Sequence, residues 1–189
     1  MTTLKEKIFE QIEAQFADVV AWRRHLHQNP ELSFQETETA AFVAEKLRSF
    51  GLEVKTNVGG NGVIAVLKGK APGKTIAFRA DIDALPIDDE KDVPYKSTRP
   101  GVMHACGHDG HTAALLGTAR VLSDYRDHFN GSIVFIFQHA EELPPGGAKE
   151  IVKAGVLDDV DAVFGAHLAS ELPVGTVAVG SGYQMAAVD

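Results

Sequence analysis

The sequence predicts an α/β protein: a layered sheet of mostly parallel strands flanked by helices. Three observations carry this. Short β-branched and aromatic runs alternate with segments of helical period from Leu52 onward. Glycine- and proline-containing turns separate them, as at Gly59-Gly60-Asn61-Gly62 and Ala71-Pro72-Gly73. Residues capable of chemistry gather just past the ends of three apolar runs, where open α/β sheets place their ligands.

The elements follow in order. Leu4, Ile8, Ile12, Phe16 and Val19/Val20 recur at helical spacing, which predicts one amphipathic helix from Thr3 to Leu26, ended by Asn29-Pro30. Ser33 followed by Glu36 has the form of a capping box, and Gly51 suits a helix C′ position. A second helix, carrying Phe42, Val43, Leu47 and Phe50, lies between them. Strands are expected over Leu52–Val58, Val63–Leu67 and Thr75–Arg79, the last leading into Asp81-Ile82-Asp83. The polar segment from Asp88 to Gly101 has no clear period and reads as a loop, with Asp88-Asp89-Glu90 a solvated charge run. His111–Leu122 is apolar on one face and reads as a helix. Ile133–Phe137 suits a central strand and Ala148–Ala154 a short helix. Ala162–Ala166 and Thr176–Val179 are further strand candidates. No internal repeat or low-complexity tract is seen.

Composition bounds the function. The 189 residues are 44% hydrophobic, which excludes disorder and provides for about one domain. A net charge of −8 with no basic run argues against nucleic-acid binding. The single cysteine excludes an internal disulfide and suits a reducing compartment. The charged N-terminus does not read as a signal peptide, and no apolar run approaches the ~20 residues of a membrane helix. The expectation is a cytoplasmic protein.

Chemistry concentrates in Met103–His111, where three histidines, an aspartate and the only cysteine share nine residues with small spacers. His139-Ala140-Glu141-Glu142 and His167 follow two other apolar runs. Thiolate, imidazole and carboxylate together suit Zn²⁺ or a similar divalent ion. Cys106 and His108, two apart, can reach one centre. The helix start after Cys106 is expected to lower that thiol's pKa. Adjacent Glu141 and Glu142 point apart along an extended chain, so one can ligate metal while the other handles a proton of a metal-activated water. Competing readings are plain: a lone cysteine is usually a small core residue, Glu141-Glu142 can be an exposed helix start, and His25, His27 and His128 read as satisfied or solvated side chains. His104 and His111 stand between these cases. Asp81, directly after an apolar strand, is a candidate that orients a neighbour.

On these residues the sequence resembles the M20 metallopeptidase family, in its amidohydrolase branch of hippurate hydrolases, N-acetyl-diaminopimelate deacetylases and auxin-conjugate hydrolases. The matching segments are Arg23–Leu32, Phe78–Ile87, Pro100–Thr112, His139–Glu142 and Gly165–His167, in family order. The resemblance implies a Zn-peptidase-like catalytic domain and a hydrolase of N-acyl amino acids holding two divalent metal ions, Zn, Mn, Ni or Co. By position it implies that Cys106, His108, Glu142 and His167 are metal ligands, Cys106 bridging, and that Glu141 is the catalytic base. Asp81 takes the place of an aspartate that elsewhere orients a ligand histidine, but Arg79 stands where that histidine would be. The resemblance further implies a homodimer for the complete protein. It makes residues 1–185 the N-terminal part of the catalytic domain and residues 186–189 the start of a lid, with a last ligand histidine beyond the chain. An incomplete sheet would leave an edge and apolar surface uncovered. Two other functions compete: a catalytically inactive, metal-binding piece, and a cysteine hydrolase with Cys106 as nucleophile, which has no need of two adjacent acids.

Overall fold

The computed structural model describes residues 2–182. It contains helices α1 (Leu4–Ala14), α2 (Phe16–Gln28), α3 (Thr37–Ser49), α4 (His108–Asp124) and α5 (Ala148–Lys153), and strands β1 (Glu53–Val58), β2 (Gly62–Lys68), β3 (Thr75–Asp81), β4 (Ser132–Gln138) and β5 (Ala162–Gly165). The five strands form one sheet in the order β1-β2-β4-β3-β5. The pairs β3–β4 and β3–β5 are parallel, whereas β1–β2 and β2–β4 are antiparallel. It follows that β2 alone runs against the other four, so the sheet is mixed with mostly co-directional strands, as expected.

Strand β4 is central because both of its faces are apolar. Ile133, Phe135 and Phe137 join Leu47, Val63, Leu67, Leu116 and Ala119 in the larger core, under α3 and α4. Val134 and Ile136 point the other way, onto Ile64, Ala77 and Ile151 of α5. This is the period-2 alternation of a strand, here buried on both sides.

Three expectations are corrected. The first helix is two, because Gln15 breaks it with φ −96° and ψ 1°. No glycine or proline marks the break. The Gln15 amide is buried and donates to the Gly117 carbonyl of α4, so a tertiary contact decides it. Ser33 and Glu36 do not form a capping box: α3 has no side-chain cap from Glu36, and its first free N–H groups at Glu38 and Thr39 donate instead to the Glu31 carboxylate. At its other end, Gly51 does take the left-handed C′ position, with Gly51 N–H on the Arg48 carbonyl and Leu52 N–H on the Leu47 carbonyl. Finally, Thr176–Val179 is not a strand; Thr176 closes a turn on Pro173 and the segment has no sheet partner among the described residues. Among the described residues strand β5 pairs only with β3, and Val163 and Phe164 are about half exposed (50% and 52%). The expected lid at residues 186–189 lies outside the described residues.

Candidate metal centre

Register brings the site together. Asp81 lies opposite Gln138 on β4, and Arg79 lies opposite Gly165 on β5. The chain leaving each of these three strands therefore emerges at the same end of the sheet, where α4 also begins with His108. Asp83, His139–Glu142 and His167 follow from there.

Two of the histidines have their tautomers set by second partners. His108 is 1% exposed, and its Nδ1 lies 3.2 Å from Asp83 Oδ1. His167 Nδ1 donates to the Leu168 carbonyl at 2.7 Å. Each ring thus turns Nε2 toward the cluster. His108 Nε2 lies 3.6 Å from Glu142 Oε1, 3.9 Å from Glu141 Oε2 and 3.7 Å from Asp81 Oδ2. His167 Nε2 lies 3.4 Å from Cys106 Sγ. In three groups, Cys106/His108/His167, His108/Glu141/Glu142 and Asp81/His108/His111, every donor atom is within 4.8 Å of the others.

The donor set fits a dication. His108 Nε2 and Glu142 Oε1 are buried and have no hydrogen-bond partner. Buried polar atoms left unpaired are costly, and two that face each other across 3.6 Å suit a shared cation. Burial disfavours a charge on His108, yet Asp83, Asp81 and Glu142 still raise its pKa. The same surplus of negative charge would favour a metal.

The carboxylates divide. Burial opposes ionisation of Asp81, but its hydrogen bond from His111 and the charges of His108 and Arg79 hold it low. Glu141 is pushed up, by burial and by the neighbouring charges of Glu142 and Asp81. Carboxyl groups driven apart in this way can take separate acid and base roles. The Cys106 thiol is pushed up to about 12, by burial first and then by the Glu142, Asp81 and Glu141 carboxylates. This corrects the expected lowering at the helix start: burial, with the nearby carboxylates, outweighs a helix end. It also counts against a free-thiolate nucleophile.

Glu141 and Glu142 do not point apart. Ala140 takes a left-handed conformation at φ 47°, which bends the chain and brings both carboxylates to His108 Nε2. They are not a helix start, since α5 begins at Ala148. His139 turns away and is buried beside Phe34, Gly60 and Gly147. His111 has both nitrogens engaged, Nδ1 with Asp81 Oδ1 at 2.7 Å and Nε2 accepting from Leu168 N–H at 2.9 Å. It links β3 to the backbone beside His167. Asp81 therefore holds His111, and the carboxylate on His108 is Asp83, whose role the sequence reading missed.

A second buried network gathers around His27 and Asp109. His27 contacts Asp109 Oδ2 through Nδ1 at 2.8 Å and Asp89 Oδ2 through Nε2 at 3.2 Å, and Arg23 Nε also reaches Asp109. His27 is thus a satisfied residue, as expected, but Asp89 is buried rather than solvated. His104 is buried near His27 and belongs to none of the three candidate ligand groups.

Fold and site define a class: an α/β-sheet protein whose strand ends gather thiol, imidazole and carboxylate groups at one centre. The chain belongs to peptidase family M20/M25/M40, whose profile matches residues 77–186. It is 55% identical over 185 residues to an N-acyl-L-amino acid amidohydrolase of Geobacillus stearothermophilus, covering 98% of this chain and 50% of that protein. It is 47% identical over 171 residues to an N-acetyl-L-cysteine deacetylase of Bacillus subtilis (strain 168), covering 90% and 41%. Among solved structures it is similar to the Bacillus subtilis YXEP protein, described as a dinuclear metal binding peptidase from the M20 family, with a TM-score of 0.85, 46% identity and coverage of 89% and 47%. The chain spans about half the length of the curated relatives it matches. No helix among the described residues is long and apolar enough to cross a membrane.

Proposed function

We propose that this chain carries the metal centre of a divalent-metal-dependent amidohydrolase acting on N-acyl amino acids. Cys106, His108, Glu142 and His167 would hold a binuclear site, and Glu141 serves as general base. The observation that carries this reading is the convergence of His108 Nε2 with Glu142 Oε1, both buried and unpartnered, beside Cys106 Sγ and His167 Nε2. The names of the amidohydrolase and deacetylase relatives support the substrate class.

When bound, the ions supply Lewis acidity that polarises the acyl carbonyl and lowers the pKa of water. Glu141 is the most exposed of the site carboxylates, with 41% of its side chain open, so it can meet an incoming molecule. It takes a proton from water and gives it to the departing amine. Its raised pKa suits both transfers, since the carboxyl regains a proton more readily than an ordinary glutamate. Asp83 keeps the His108 proton on Nδ1, leaving Nε2 free to ligate.

Elemental analysis of the purified chain tests the site. Divalent metal is expected to co-purify, and Cys106→Ala is expected to lower its content. An unchanged content would undo the Cys106 assignment. Release of amino acid from hippurate or an N-acetyl amino acid tests the activity. Chelation should abolish turnover, and turnover that survives exhaustive chelation would overturn metal catalysis. Metal uptake without turnover would favour the second reading, a metal-binding piece with no turnover of its own.

A further inference from the structure

The turn that aims Glu141 and Glu142 depends on Ala140 at φ 47°, a conformation disfavoured for a residue with a Cβ. Such a backbone persists only where its surroundings fix it. Ala140 is fully buried, so water cannot serve its peptide groups. Its carbonyl accepts from Gly147 N–H at 2.9 Å. Its N–H donates to Glu36 Oε1 at 2.7 Å, across 104 residues of sequence. Glu36 is itself 0% exposed, and its other oxygen accepts from Asn61 Nδ2 at 2.9 Å.

We propose that Glu36 is a positioning residue whose buried carboxylate holds Ala140 in the left-handed conformation and so directs Glu141 and Glu142 onto His108. The segment that supplies it acts as a brace under the site. Three residues earlier, Ser33 Oγ donates to Asp83 Oδ2 at 2.6 Å, and that same oxygen accepts from Glu142 N–H at 3.0 Å. The Glu142 end of the turn is therefore tied through Asp83 to Ser33, and the Ala140 end is tied directly to Glu36. Between these anchors, Phe34 packs beside His139 and Gln35 closes a tight turn through its N–H on the Leu32 carbonyl. A capping role for Glu36 is excluded by the α3 N-terminus, whose N–H groups go to Glu31.

The consequence for metal binding rests on the function proposed above, but the backbone claim does not. The first test is therefore hydrogen exchange on the metal-free chain, read at the amides of residues 139–147. In Glu36→Ala the Ala140 amide loses its acceptor, and its protection should fall about tenfold or more, with distant β4 amides unchanged. In Glu36→Gln the amide oxygen still accepts from Ala140, and Asn61 can turn to offer its own oxygen, so protection should stay within about threefold of wild type. Should Glu36→Ala not fold, Glu36→Asp takes its place: it keeps the charge but withdraws the acceptor by one methylene, and the same loss is expected. Titration with Mn²⁺ or Zn²⁺ then reads the consequence, with affinity about 10- to 100-fold weaker in Glu36→Ala and nearly retained in Glu36→Gln. Unchanged Ala140 exchange in a folded Glu36→Ala, or a Glu36→Gln as disrupted as Glu36→Ala, overturns the proposal. A wild-type chain that takes up no metal refutes the proposed metal site instead, and the exchange result still decides the role of Glu36.

Discussion

Replacing Asp83 by asparagine should separate folding from metal binding. Asp83 is fully buried, with Oδ2 accepting from Ser33 Oγ and Glu142 N–H, and Oδ1 facing His108 Nδ1. Glu142 N–H can only donate, so the asparagine must keep its oxygen on that side and turn its NH₂ toward His108. The ring then has to accept at Nδ1, and its proton moves to Nε2, the atom that faces Glu142 and the rest of the cluster. Two of the three bonds survive in neutral form and the third is reversed, so the stability cost should be about 1–2 kcal/mol. A metal, however, would have to displace the new proton from Nε2, and affinity should fall about 10- to 100-fold. Asp83→Ala is different, because it strands all three donors inside the protein. That should cost about 3–5 kcal/mol, a large part of the ~5–15 kcal/mol holding a typical domain. Calorimetric titration of the metal-stripped chain with Zn²⁺ or Mn²⁺, beside urea unfolding of the same samples, reads both quantities. A folded Asp83→Asn that binds metal as tightly as wild type refutes the tautomer argument. So does an Asp83→Asn as unstable as Asp83→Ala.

Two further predictions concern the frame around the site. Burial alone would raise the pKa of Asp89, but the Lys91 side chain and the backbone N–H groups of Ser97 and Lys91 hold it far below the usual carboxylate range. A depressed carboxyl stabilises the fold fully above its unfolded pKa, near 4, and loses that contribution as pH falls through the lower folded value. The stability gap between wild type and Asp89→Asn should therefore narrow below about pH 4, and a gap constant from pH 5 to pH 3 would contradict the assignment. Gly60 has φ 133°, and a Cβ there would sit 2.4 Å from the buried His139 Nε2, so Gly60→Ala should destabilise by about 1–3 kcal/mol in urea unfolding. An unshifted midpoint would show that this packing yields.

Much of the fold was written locally. The alternation of Ile133–Phe137, with aromatic and branched residues on both faces, marked a central strand, and the structure places it third of five. Gly51 ended its helix where its conformational freedom is used. Glu142 and His167 were legible because they follow apolar runs, and parallel strands deliver such residues to one end of a sheet; Cys106 and His108 were legible from the density of donor side chains in Met103–His111. What the sequence could not give was set by partners far along the chain. Gln15 breaks a helix of unbroken helical period because its amide reaches α4. Asp89 looks like part of a solvated acidic run and is buried on His27. Glu36 looks like a capping residue and instead reaches Ala140. The adjacent glutamates converge because Ala140 leaves the extended conformation, which no local signal foretold. Composition and period thus determined the layers and the donor types, since burial and strand direction follow from them. The tertiary structure alone decided which carboxylate holds which histidine, because hydrogen bonds between distant segments depend on register and backbone angle.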